Sequence, residues 1–172
     1  LNDFAVDFSA QPIPWALRRW TNHNPTANTG FDIILDGTIQ PNGHYIISAQ
    51  NNDFQTVYGM ASSQISSGTG PSDSNGDDQI ALVIDAEAGV SEGANTVIID
   101  MFGVVGEDGT GTNHEFEDGR ALRKSSVSRA NSTFDATEWI IDNDSGGGDG
   151  PQNAPADYTP NNWYGAGPPL PV

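Results

Sequence analysis

The chain contains no cysteine. Disulfides and thiolate metal centres are excluded, while the redox state of the compartment stays open. Positive charge is nearly as scarce: six Lys and Arg residues face 23 Asp and Glu, and Lys124 is the lone lysine. The resulting net charge of -17 repels phosphate backbones and anionic lipid. Nucleic acid and bare membrane are therefore poor partners unless cations intervene. The same charge suits solubility in salt and the capture of divalent cations. No apolar run approaches the roughly 18 residues of a membrane span, and no stretch sustains a helical period. There is neither a G-x-x-x-x-G-K phosphate loop nor a G-x-S-x-G nucleophile elbow. The start, Leu1–Phe8, is acidic where a signal peptide is basic, which fits a mature form or a fragment.

What the chain does have is turns. Its 172 residues, enough for one core, include 20 glycines and 11 prolines. Short β-prone runs sit between these turns. Val6–Phe8, Trp15–Trp20, Phe31–Leu35 and Tyr45–Ala49 come first, and Ile80–Ile84 and Val97–Phe102 are the strongest. Ala121–Ser125 and Trp139–Asp142 are shorter candidates. Asp53 is placed to cap a single helical turn through Tyr58, ended by Gly59. Ala61–Gly76, rich in Ser and Gly, reads as a long loop. Strands recurring every 10–20 residues with turns between predict an all-β sandwich. It is expected over residues 1–142, with an extended Gly/Pro-rich segment over 143–172.

Catalytic patterns are weak. The histidines are His23, His44 and His114. His114-Glu115 lacks the second His, four residues on, that a helical zinc-protease motif needs; Asp118 stands there. His114 reads instead as a turn entering the next strand, and His44 as a surface or packing residue. With so many acids, carboxylate pairs arise by chance and carry no weight. Calcium is the better candidate. Asp73, Asn75 and Asp77 have the alternating oxygen spacing of a calcium loop. Asp78 in place of the turn glycine and Ile84 in place of the bidentate Glu rule out an EF-hand. Asp142, Asp144 and Asp149 surround the flexible Gly146–Gly148 run and form a second oxygen-rich set. The competing reading is that these residues shape turns with their own side chains. Arg18, Arg19, Arg120, Arg123 and Lys124 fall in two strands and are expected to pair with carboxylates on the sheet. Trp15 and Trp139 lie in apolar strands and are expected in the core. Trp163 and Tyr164, in the tail, are the better partner-contact candidates.

Several stretches resemble one family when taken in order. They are VDFSAQPIPWALRRWTN, ILDGTIQPNGHYIIS, NGDDQIALV, VIIDMFGVVGEDGTGTNHEFEDGRALRKSSV and STFDATEWIIDNDSGGGDGPQNAPADYTPNNW. The order is similar to that of bacterial lamin tail domains and covers nearly the whole chain. The resemblance implies an immunoglobulin-like β-sandwich, secreted or at the cell surface of a marine bacterium, without an active site of its own. It also implies a strand pair ahead of the VDFS strand, where this chain opens with LNDFAVDFS. Three accounts of that departure stand: a trimmed chain, a start rerouted by QPIP, or a strand supplied by another chain. The third makes Phe4, Val6 and Phe8 partner-binding candidates. The expected function is thus a non-catalytic extracellular structural or adhesion module, self-assembling by strand complementation. The alternative is a glycan-binding or targeting module of a secreted hydrolase.

Overall fold

The computed structural model describes residues 4–143 apart from 42, 50–52, 60, 67–69 and 118. Ten strands and one short helix, α1 (Asp53–Tyr58), make up the described residues, with three single-turn 3-10 helices. The expected all-β, sandwich-like architecture is what forms.

Its centre is a four-stranded antiparallel sheet in the order β3-β2-β7-β8. These are β2 (Trp15–Trp20), β3 (Ile33–Ile34), β7 (Gln79–Ile84) and β8 (Val97–Phe102). Strict alternation sorts the side chains of β2 and β7. Ala16, Arg18 and Trp20 stand opposite Val83, Ala81 and Gln79 on a fully buried face. Trp15, Leu17 and Arg19 stand opposite Ile84, Leu82 and Ile80 on a half-buried one. The larger aliphatics of β7 thus lie on the less buried face. The deep face carries alanines, because alanine opposite Arg18 leaves room for its guanidinium. Ile99 is an extra residue between the Leu82–Asp100 and Val83–Ile98 pairs, a bulge that bends β8.

Three two-stranded ribbons complete the fold. β1 (Val6–Asp7) pairs antiparallel with β4 (Thr38–Ile39), and β9 (Arg120–Arg123) with β10 (Trp139–Asp142). β5 (Ile47–Ala49) runs parallel to β6 (Gln64–Ser66). The Phe8 ring sits edge-on to Tyr45 at 5.1 Å and against Trp15 at 6.1 Å. Phe102 gathers Phe116, Phe134 and Trp139 around itself at 4.9–5.4 Å.

Four expectations need correction. Ala61–Gly76 is not all loop: β6 lies within it, its backbone bonds made to β5 although its sequence lacks apolar alternation. Phe31–Leu35 is not one strand, since a 3-10 turn occupies Thr29–Phe31 and only Ile33–Ile34 pairs. There Asp32 is drawn to Arg18. Trp15 and Trp139 are half-buried, and among the described tryptophans the deeply buried one is Trp20, at 2% exposure. Lys124 donates to the Thr137 carbonyl rather than to a carboxylate.

Candidate functional site: an acidic loop end

Three loops converge at one end of the central sheet. The turn after β2 comes first: Asn22, held at a positive φ of 48°, donates from Nδ2 to Asp77 at 2.9 Å and from its backbone to Asp78. Arg19 reaches the same loop, donating to Asp78 Oδ2 at 3.2 Å and to the Asp73 carbonyl at 3.0 Å. The loop after β8 is locked on next. Gly109 N donates to the Asp77 carbonyl, and the buried Gln79 amide donates to the carbonyls of Asp77 and Glu107. Finally Phe116 N donates to Gly76 O. A Cβ on Gly76 would strike the Glu117 backbone, and one on Gly109 the Asp77 backbone. Those two glycines are what let the loops approach so closely.

The result is a concentration of acid. Asp73, Asp77, Asp78, Glu107, Asp108, Glu115 and Glu117 belong to these loops, against Arg19 and the weak bases His23 and His114. Burial, then the neighbouring Asp78 and Asp108, push the Asp77 carboxyl above its ordinary value. Its Oδ1 is buried without a hydrogen-bond partner. Asp108 goes the other way, held low first by bonds from Thr110 and then by His23, whose Nδ1 lies 3.7 Å away. Such an end attracts cations and cationic groups and repels anions.

The structure places the calcium candidates unevenly. Asp77 is half-buried in this end, while Asp73 and Asn75 are exposed beside it. Among the described residues, no three His, Asp or Glu side chains gather round a common point suited to a metal. Asp142 ends β10 opposite Arg120. Asp144, Asp149, Trp163 and Tyr164 lie outside the described residues. Of the partner candidates, Phe4 is 69% exposed, Val6 is half-buried opposite Ile39, and the Phe8 ring is turned onto Trp15 and Tyr45.

Two polar centres escaped the sequence reading in their true form. Arg18 is fully buried between Asp32, at 2.6 Å, and Asp85, at 2.8 Å. Burial alone would raise the Asp85 carboxyl. Bonds from the Thr96 hydroxyl, the Glu87 and Gly93 amides and Arg18 overcome it and hold the group well below the carboxylate range. The second centre is Arg123, which binds Asp100 and Glu138 and lies 4.9 Å over the Trp139 ring. The available signal was an arginine in the buried register of β2, since such a group demands paired carboxylates.

Comparison of the chain with models of known families, with curated proteins and with solved structures finds no match. The likeness to lamin tail domains therefore rests on motif order alone. No described helix is long and apolar enough to cross a membrane.

Proposed function

We propose that this chain is a non-catalytic extracellular structural or adhesion module that acts by association, with cations such as calcium as counter-charge at its acidic end. The observation that carries the reading is the convergence of acidic loops at one end of a small sheet. Lamin-tail-like motif order and an exposed Phe4 beside the two-residue strand β1 add to it. A ribbon this short is a weak pairing, and a strand from a second copy extends or replaces it readily.

One observation favours this reading over the glycan-binding alternative. Sugar recognition by stacking needs an open aromatic face, and the described tryptophans are occupied. Trp20 is buried, Trp15 meets Phe8, and Trp139 lies under Arg123 and against Phe102.

The test is a pair of variants compared for concentration-dependent association by sedimentation velocity. Phe4→Ser with Val6→Ser is expected to weaken association. Val90→Ser, which removes an apolar side chain 82% exposed elsewhere, is expected to leave it unchanged. Equal association in all three proteins contradicts the strand-based route. A monomer that binds polysaccharide saturably favours the alternative.

A further inference from the structure

His114 has a role in none of the above, yet it is fully buried. It lies between the acidic loops and the sheet. Its ring is edge-on to Phe102 at 6.3 Å and Phe134 at 5.5 Å, and a Cβ on Gly103 would fall 3.1 Å from its Cδ2. The hydrogen bonds fix which nitrogen carries the proton. The Thr112 hydroxyl donates its hydrogen to the Gly109 carbonyl at 2.6 Å. Its oxygen is then left to accept from His114 Nδ1, 3.0 Å away. Nδ1 is therefore the N–H, and Nε2 is a bare lone pair, buried and without a partner.

We propose that His114 is an acid-sensitive latch: the neutral ring holds residues 104–117 against the sheet, and protonation at Nε2 releases them. A proton taken from solvent by Nε2 creates a second N–H and a full charge among Phe102, Phe134 and Gly103. A buried cation without a paired anion is strongly disfavoured. A carboxylate beside the ring is that of Glu107, whose Oε2 lies 3.7 Å from Nδ1. It favours the protonated ring, but its side chain is 47% exposed, and solvent weakens the attraction. On the latch's own loop, the Glu115 carboxylate is taken up by the Gly111 amide. From β7 the neutral Gln79 lies across Gly103 from the ring, and from β8 and the Phe134 loop the Phe102 and Phe134 rings face it. Burial therefore outweighs Glu107 and lowers the imidazole from 6.5. The sign follows. Above 6.5 the latch is complete. As pH falls below that value the open form takes up protons first, and closure weakens until the folded value is passed. Each unit of depression weakens closure about tenfold.

The experiment uses the whole chain carrying His23→Gln and His44→Gln, so that His114 is the histidine observed. Its ring titration is followed by NMR. Hydrogen-exchange protection of residues 104–117, corrected for intrinsic rates, is compared at about pH 7.5 and about pH 5. The expected result is titration below 6.5, with protection lower at the acid pH by at most about tenfold for each unit of depression. His114→Gln, which cannot titrate, is expected to abolish the acid response. If that variant does not fold, the titration and exchange of the histidine form decide alone. Titration at or above 6.5, as a new Nε2–H bond to Gln79 would give, overturns the proposal. So does protection independent of pH, or an unchanged acid response in His114→Gln.

Discussion

At the scale of single residues, the chain's polar chemistry turns inward. Arg18 is buried with two carboxylates, and its geometry is fixed by several short bonds. Arg18→Met would leave Asp32 and Asp85 buried without their cation. Loss of about 3–5 kcal/mol is expected, measured by equilibrium denaturation. Asp85 offers a pH test. Its carboxyl is depressed in the folded state, so its contribution is complete above the ordinary value of 3.8 and disappears as pH falls through the folded value. The stability gap between the native chain and Asp85→Asn should stay constant through neutral and mildly acidic pH. It should narrow only in strong acid; narrowing near neutrality would contradict the assignment. This centre was barely legible beforehand. Alternation puts Arg18 and Arg19 on opposite faces of one strand, but the expectation of Trp15 in the core favours the other face, and Asp32 and Asp85 stand 14 and 67 residues away with nothing local to mark them out.

At the scale of elements, what was legible tracked how much a segment depends on its own side chains. β2, β8 and β10 form over the residues that their alternation and apolar content mark. β6 does not announce itself, because Gln64-Ile65-Ser66 is a strand only by virtue of its bonds to β5. Loop packing was illegible for a related reason: it depends on glycines whose neighbours come from distant parts of the chain. Gly37 and Gly76 separate the two demands made on such positions. Both have positive φ, but a Cβ at 37 meets open space while one at 76 strikes the Glu117 backbone. Gly37→Ala should cost about 1–2 kcal/mol, the backbone strain alone. Gly76→Ala should lower the thermal midpoint clearly further and reduce hydrogen-exchange protection in residues 104–117. Equal losses in the two variants would mean that the loops are not interlocked as described.

At the scale of the whole molecule, charge dominates. A net charge of -17 makes copies repel, so association through the N-terminal ribbon has to overcome that repulsion. Added salt screens it, and self-association is expected to strengthen from low to physiological ionic strength. Association driven by ion pairs would weaken over the same range. Calcium should act in the same direction as salt but at lower concentration, because divalent ions neutralise the acidic loops directly. The most direct test of a module that works by association is multi-angle light scattering over a series of protein concentrations, with and without calcium. The account predicts a mass above that of the monomer that rises with concentration and rises further with calcium. A monomer mass throughout both series would contradict it.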